Sequence, residues 1–437
     1  MKPIPLKGTP EGRAEASRLS FFPKTPLRPE ELHIPVAMVE DLMLRRLYAK
    51  GEATLKGLSQ ELKLSFPLLH ALFQKMRQKQ LFEVSGMEGN DYRFALSGPG
   101  REQAAQRFLT CRYIGPVPVS LSAYNAAVRS QNIRPLIDRA ALKAALADLV
   151  VTERFLDELG PALVSQKSIF LYGPTGNGKK SVVSRLSRIY GDTIVIPYAV
   201  EVDGQIIVLF DPGVHEQAEN PPPDLDPRWV VCRRPCILVG GELELRMLEL
   251  QHEESTQVYA APVQMRANNG LLVIDDFGRQ IVSPVYLLNR WIVPLDRHTD
   301  YLSLRYGLKF QVPFEVTVVF ATNLEPADLA DEAFLRRIPN KILVDAVDDE
   351  VFERIYAREI ERRRLEGEGA AGAYLRELCR RRGGELRACQ PADILDIVVA
   401  ASEFAGLPPR VTCEAIGRAA EIYFTRPRLG GAEGKPG

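Results

Sequence analysis

Apolar positions recur at helical spacing over much of the first hundred residues. Three segments carry apolar side chains three and four residues apart and are predicted to form helices: 36–50, 55–64 and 66–80. The first ends at Lys50 and Gly51, a basic residue followed by glycine, which is typical of a helix C-terminus. Two short apolar runs joined by the turn-rich segment SGMEGND are predicted to pair as a β-hairpin: 81–84 and 92–96.

Three helices followed by a hairpin resemble a winged-helix module, here over residues 35–115. Such modules often bind DNA, and the third predicted helix carries polar side chains suited to that contact: His70, Gln74, Lys75, Arg77, Gln78 and Lys79. Between residues 36 and 115 there are 12 Lys and Arg against 8 Asp and Glu, which is only mildly basic. The same pattern fits a domain that binds a protein partner or only packs, so these alternatives stay open.

Strand-length apolar runs alternate with helical or loop segments from about residue 165 to 345, as in a parallel sheet with both faces covered. The runs are 168–172, 194–199, 206–210, 271–274 and 316–321. A linker containing GPVPVSL and a predicted helical stretch over 139–159 precede them. Four helices are predicted after them: 354–365, 371–382, 391–404 and 413–423.

These patterns predict an α/β protein made of several consecutive parts. The parts are an extended N-terminal arm (1–34), a small α+β module (35–115), a linker and helical lead-in (116–164), an α/β domain (165–345), a helical domain (346–425) and a flexible tail (426–437).

Composition narrows the classes of function. Lys and Arg together number 56, as do Asp and Glu, so the chain has no overall charge to attract nucleic acid or an acidic membrane. No apolar run approaches the roughly 18 residues needed to cross a bilayer, so membrane insertion is not expected. Six cysteines in 437 residues are too few for a disulfide framework. We therefore expect a soluble protein in a reducing compartment, the cytoplasm.

A glycine-rich loop carries the clearest chemistry. The predicted strand 169–172 runs into a GxxxxGK sequence, and a helix is predicted from Ser181. Strand, glycine loop and helix in this order predict a phosphate-binding loop, in which backbone amides and the helix N-terminus face the phosphates. Lys179 would place its ammonium on the outer phosphates. The residues predicted to bind nucleotide are Gly173, Pro174, Thr175, Gly176, Asn177, Gly178, Lys179, Lys180 and Ser181.

Position 180 departs from the usual motif. Lys180 stands where Ser or Thr would hold Mg²⁺, and an ammonium has no lone pair with which to bind a metal. Ser181 is rotated about 100° around the helix and is an imperfect substitute. Nucleotide binding is still expected, because Lys180 can itself neutralise phosphate charge. The missing hydroxyl weakens the prediction that the bound nucleotide is hydrolysed.

An apolar strand over 271–274 ends in two carboxylates, Asp275 and Asp276. A buried strand that delivers an aspartate to the sheet edge fits a Walker B motif, in which Asp275 would orient Mg²⁺. Asp276 would polarise the attacking water, although it is one methylene shorter than the glutamate more usual there. A later apolar strand, 316–321, ends in Thr322 and Asn323.

Together these motifs resemble the AAA+ ATPase superfamily, over about residues 140–425. The predicted hairpin over 301–314, which follows the helical sequence LLNRWI, resembles an insert of MoxR-like, chaperone-type members. The resemblance implies a P-loop AAA+ parallel sheet with a helical lid over 346–425. It also implies that Asn323 is the sensor-1 residue near the γ-phosphate. In the sequence DEAFLRRIP it implies an arginine finger acting on a neighbouring subunit, with Arg337 the first choice and Arg336 the second.

The resemblance also bears on four further positions. Ala392 stands where a sensor-2 arginine would be expected, and Arg387 nearby is a possible substitute. Arg279 and Arg290 are expected either near the phosphates or a neighbouring subunit, or in structural ion pairs.

The resemblance therefore implies an ATPase that uses ATP and Mg²⁺ and remodels a protein client as a ring-like homo-oligomer, for which a hexamer is one form. Lys180 and Ala392 count against efficient turnover. The alternative is a nucleotide-binding switch with little or no hydrolysis that binds DNA or a protein through the winged-helix-like module.

Overall fold

The computed structural model describes residues 19–89, 91–132, 137–329 and 332–424. Residues 1–18 of the predicted arm and the whole predicted tail, 426–437, lie outside the described residues.

The first part of the chain contains the predicted three helices and hairpin, together with one further strand and one further helix. Its elements are α1 (Val36–Lys50), β1 (Glu52–Thr54), α2 (Leu55–Leu62), α3 (Phe66–Gln78), β2 (Phe82–Glu88), β3 (Asp91–Leu96) and α4 (Gly98–Thr110). The strands form an antiparallel sheet in the order β1-β3-β2. The periodic leucines of α1, α2 and α3 are buried in one core. The α3 and hairpin predictions are confirmed, whereas β1 and α4 were not foreseen.

A short strand and three helices lead into the α/β region: β4 (Val119–Ser120), α5 (Leu121–Gln131), α6 (Arg139–Ala145) and α7 (Glu153–Val164). The helical stretch predicted over 139–159 is therefore two helices. Asp138 caps the first by accepting a hydrogen bond from the Ala141 amide, and Thr152 caps the second through the Phe155 amide.

The α/β region follows from residue 169 to residue 343. Its elements are β5 (Ile169–Tyr172), α8 (Lys179–Leu186), β6 (Thr193–Pro197), β7 (Ala199–Val202), β8 (Gln205–Val208), β9 (Trp229–Arg233), β10 (Cys236–Val239), β11 (Gln251–Glu253), β12 (Val258–Ala260), α9 (Val263–Arg266), β13 (Leu271–Ile274), α10 (Pro284–Arg297), β14 (Thr299–Ser303), β15 (Lys309–Pro313), β16 (Thr317–Ala321), α11 (Pro326–Leu329), α12 (Glu332–Leu335) and β17 (Asn340–Leu343).

Five of these strands form a parallel sheet in the order β10-β13-β16-β5-β17. Its three inner strands are buried almost throughout, because apolar side chains from the surrounding segments cover both faces. This sheet confirms the α/β fold class. Because all its strands are parallel, the loops that follow β5, β13 and β16 meet at the same edge.

Two predicted strands do not belong to this sheet. The run 194–199 is divided at Tyr198 into β6 and β7; β6 pairs antiparallel with β9, and β7 with β8. Asp203 and Gly204 form the turn between β7 and β8 with φ of 48° and 76°, the left-handed conformation that closes a tight hairpin. β7 and β8 join a separate sheet in the order β11-β12-β8-β7-β4, whereas β6 and β9 form a sheet of two strands. The expectation of one parallel sheet containing them was wrong.

Four helices after the parallel sheet confirm the predicted helical segment, which we call the lid (349–424). Its elements are α13 (Asp349–Arg363), β18 (Glu366–Gly367), α14 (Ala371–Gly383), α15 (Gln390–Phe404), β19 (Arg410–Val411) and α16 (Cys413–Tyr423). The lid has a core of its own, in which Phe352, Leu375 and Ile394 are fully buried.

The length and polarity of the helices bear on membrane contact. Throughout the part of the chain that the structure describes, every helix is too short or too polar to span a bilayer.

Candidate functional site

The glycine-rich loop connects the inner strand β5 to helix α8. Gly173, Gly176 and Gly178 have φ of 132°, 86° and 89°, which other residues adopt only at a cost. A Cβ on Gly173 would lie 2.4 Å from the Val344 carbonyl oxygen. These glycines let the backbone bend sharply at the sheet edge, so that its amides and the first turn of α8 can face an anion.

Lys179 is the first residue of α8, and its side chain folds back over the loop. Its buried Nζ donates hydrogen bonds to the carbonyl oxygens of Gly173 at 2.6 Å and Pro174 at 2.8 Å. Burial lowers the pKa of Lys179, while the carboxylates of Asp276 and Asp275 oppose that shift. An ammonium has three donors, so one N–H remains for a phosphate oxygen without disturbing these two bonds.

The acidic pair follows β13 at the same sheet edge. Asp276 has a φ of 51° and is exposed, and its Oδ1 accepts a hydrogen bond from Asn323 Nδ2 at 3.3 Å. Asn323 follows β16, which pairs in parallel with β13, and so lies beside the acidic pair, as the resemblance implied. The neighbouring Thr322 fixes the backbone here, because its Oγ1 donates to the Phe277 carbonyl at 2.7 Å. The predicted water-polarising and sensor-1 residues are thus in direct contact.

Asp275, the residue predicted to orient Mg²⁺, forms an ion pair with Lys180. Lys180 Nζ lies 3.1 Å from Asp275 Oδ2. This hydrogen bond raises the pKa of Lys180, and the charges of Asp275, Asp276 and Glu242 act in the same direction. Mg²⁺ requires oxygen ligands, whereas position 180 supplies a cation and the carboxylate is engaged by it. These residues do not fit a magnesium site of the ordinary P-loop kind.

The lid touches the glycine loop directly. The Cys389 amide donates to the Gly176 carbonyl oxygen at 2.9 Å, and the Ala388 amide donates to Asn177 Oδ1 at 3.3 Å. A Cβ on Gly176 would lie 2.8 Å from Cys389 Sγ. The start of α15 is therefore seated on the loop. This contact was not predicted from the sequence. The sequence pointed to this region only through Ala392 and Arg387, the positions considered for a sensor-2 arginine.

Loop, acidic pair and lid surround one cleft of about 770 Å³. Thr175 to Val182, Asp275, Asp276 and Asn323 line its sheet side, while Cys389 and Ala392 line its lid side. A third wall presents apolar side chains, among them Val150, Val151, Phe155, Val347 and Ile355, with charged residues such as Arg154 and Arg358 beside them. A cleft with ammonium groups and backbone amides at one end and apolar side chains at the other suits a molecule with a phosphate chain and a flat ring.

Arg387, the proposed substitute for a sensor-2 arginine, packs beside the loop. Its Cδ would lie 3.4 Å from a Cβ on Gly176. Its buried Nε has no hydrogen-bond partner among the described residues. Arg387 is therefore close to the glycine loop, although it does not line the cleft.

The other arginines that the sequence analysis singled out lie outside the cleft. Arg336 and Arg337 do not line the cleft of their own chain, and Arg337 Nε donates to Asp296 Oδ2 at 2.8 Å. Arg290 pairs with Glu249 and with the buried Asp300, each at 2.6 Å, which is the structural ion-pair alternative. Arg279 likewise does not line the cleft.

Comparisons with known proteins give partial matches. A family model described as a domain of unknown function, DUF8689, matches residues 348–422, which is almost the whole lid. No curated protein matches the chain.

Solved structures superpose over part of the chain. NtrX from Brucella abortus is 12% identical with a TM-score of 0.41, over 66% of this chain and 58% of that one. The RuvB Holliday junction branch migration motor of Thermotoga maritima is 14% identical with a TM-score of 0.33, over 67% of this chain and 72% of that one. This chain therefore spans less than two thirds of the NtrX structure.

Proposed function

We propose that the protein binds ATP in the cleft and that bound nucleotide sets the position of the lid. The observation that carries this proposal is the pair of hydrogen bonds from Ala388 and Cys389 to the glycine loop. A phosphate held by that loop must be accommodated next to the first turn of α15. A ligand shifts a conformational equilibrium when its contacts differ between the two states, and this junction supplies such a difference.

The triphosphate would lie on the loop between residues 173 and 181, with Lys179 on the outer phosphates. The base would lie against the apolar wall, where Val151, Phe155 and Val347 provide a surface for a purine. In this placement every predicted nucleotide-binding residue is on the loop or the first turn of α8. Asp276 and Asn323 are positioned beyond the terminal phosphate.

Two forms of this function remain, and different contacts support each. An ATPase that remodels a protein client is supported by the Asp276–Asn323 pair, because a carboxylate oriented by an amide can position an attacking water. A switch with little hydrolysis is supported by the ion pair between Lys180 and Asp275. We favour the switch, because this ion pair engages the carboxylate that turnover with Mg²⁺ would use.

Assembly into a homo-oligomer is supported by two features. Arg336 and Arg337 lie outside their own cleft, as a residue that acts on a neighbouring copy's nucleotide would. Ile281, between β13 and α10, and Val285 and Tyr286, in the first turn of α10, are largely exposed, and an apolar surface of this kind suits a second copy of the chain. A hexameric ring is one assembly that would bring an arginine to each cleft.

The N-terminal winged-helix-like module would hold the partner. Lys75 and Lys79, two of the basic side chains on α3, both pair with Glu40 of α1, at 2.9 and 2.8 Å. These pairs reduce the positive charge available to DNA phosphates. They favour a protein partner over DNA at this face.

Labelling of Cys389 by a thiol reagent tests the proposal. Cys389 is half-buried and lines the cleft, so ATP should slow its modification by about tenfold or more, in proportion to occupancy. Cys413, also half-buried but outside the cleft, should react at an unchanged rate and serves as the internal control. Peptide mass spectrometry resolves the two sites.

Phosphate released in the same samples distinguishes the two forms of the function. Protection of Cys389 with slow phosphate release supports the switch, whereas protection with steady release supports the ATPase. Equal Cys389 labelling with and without ATP would contradict nucleotide binding in this cleft.

A further inference from the structure

Lys180, the second residue of α8, places a positive charge beside Asp275 at the end of β13. Lys180 Nζ lies 3.1 Å from Asp275 Oδ2, and both residues line the cleft. The Asp275 side chain is 13% exposed and held in place, while that of Lys180 is 73% exposed on a flexible stem. The ammonium can therefore reach a ligand in the cleft without leaving the neighbourhood of Asp275.

The chemistry at this position is the opposite of a metal site. In a typical P-loop a hydroxyl at the position of Lys180 binds Mg²⁺, which neutralises the phosphates. An ammonium cannot bind a metal, but its three N–H donors can be shared between a carboxylate and phosphate oxygens. Lys180 thus offers the charge neutralisation that a metal supplies, in the same place.

We infer that Lys180 takes the place of the divalent cation and that the cleft binds a nucleoside triphosphate free of metal. This inference rests on the proposed function, which it refines by naming the form of the ligand. Lys179 would contact the phosphates from the loop side and Lys180 from the side of Asp275. A divalent cation would have to displace the Lys180 ammonium from Asp275 before it could use that carboxylate as a ligand.

The charges at the phosphate end agree with this arrangement. Lys179 and Lys180 carry two positive charges and Asp275 and Asp276 two negative ones, so the four side chains sum to zero. Replacing Lys180 by a neutral residue would leave a net negative site that favours a metal ion. Threonine at position 180 would also restore the missing oxygen ligand, so Lys180→Thr should convert the site to metal dependence.

Calorimetric titration of the full-length protein with ATP tests the inference. Each variant is titrated in EDTA and in MgCl₂ at matched ionic strength, since screening alone changes phosphate binding. The wild-type protein should bind ATP at least about tenfold more weakly in MgCl₂ than in EDTA, because Mg²⁺ removes the metal-free nucleotide from solution by mass action. Lys180→Thr should bind about tenfold more tightly in MgCl₂ than in EDTA, or about 1.4 kcal/mol. Lys180→Met, which removes the charge without adding oxygen, should lose about tenfold in EDTA.

The outcomes separate the inference from the proposed function. Wild-type binding that is as tight in MgCl₂ as in EDTA, or tighter, would overturn the inference and leave ATP binding in the cleft intact. Variants at position 180 that behave like wild type in both buffers would also overturn it, since Lys180 would then have no part in neutralising the phosphates. Absence of binding in both buffers would overturn the proposed function and the inference together. Because Lys180 is exposed, loss of folding is not expected, and thermal unfolding of each variant checks this.

Discussion

ATP binding should weaken by about 100-fold when Lys179 is replaced by alanine. Hydrogen bonds to charged groups contribute about 1.5–3 kcal/mol, and each 1.4 kcal/mol is a tenfold change in affinity. Lys179 also stabilises the loop by donating hydrogen bonds to the carbonyl oxygens of Gly173 and Pro174. Its removal should therefore destabilise the loop as well as remove the phosphate contact. Isothermal titration of the full-length chain with ATP measures the change.

A second lysine variant serves as the control that shows whether the loss of ATP binding is specific to Lys179. Lys167 is exposed just before β5 and does not line the cleft, so Lys167→Ala should leave the affinity for ATP within about twofold. Equal affinities for Lys179→Ala and Lys167→Ala would mean that the loop does not hold the phosphates. Thermal unfolding of both variants shows whether any loss of binding is a loss of fold.

The junction between loop and lid should be sensitive to a single methyl group. Gly176→Ala places a Cβ in a left-handed conformation, at about 1–2 kcal/mol, and presses it to 2.8 Å from Cys389 Sγ. Overpacking typically adds about 1–3 kcal/mol, so a total near 3 kcal/mol and a fall of several degrees in Tm are expected. Thermal unfolding monitored by circular dichroism measures this.

Two variants divide that cost into its parts. Gly178 has nearly the same φ, 89°, and open space where its Cβ would lie, so Gly178→Ala should cost only the backbone strain. Cys389→Ala removes the atom that the new methyl meets. In that background Gly176→Ala should cost no more than Gly178→Ala does. Equal effects of Gly176→Ala in both backgrounds would contradict the lid contact.

Much of the fold could be predicted from local pattern. Helices α1, α3, α14, α15 and α16 begin or end within about three residues of their predicted bounds, because strong apolar periodicity and clear caps or glycines mark them. The edge strands β10 and β17 were not predicted. Each is a strand because it pairs with a neighbour that is distant in sequence, and that pairing is not visible in the local pattern.

The candidate site, too, could be predicted only in part from the sequence. The glycine loop and the acidic strand end could be predicted because each is a contiguous motif, and parallel strands bring both to one sheet edge. The hydrogen bonds from Ala388 and Cys389 to the loop join residues more than two hundred positions apart. The presence of Lys180 was visible in the sequence, but its ion pair with Asp275 depends on how the strands are arranged.

Amide hydrogen exchange with and without ATP tests most directly whether the loop and the lid close on one nucleotide. If they do, exchange should be slower in two segments distant in sequence, 173–181 and 387–393, and unchanged in 36–96. Both segments should respond over the same range of ATP concentration, because a single ligand binds between them. Unchanged exchange at the glycine loop, or protection there without any change at the start of α15, would contradict that closure.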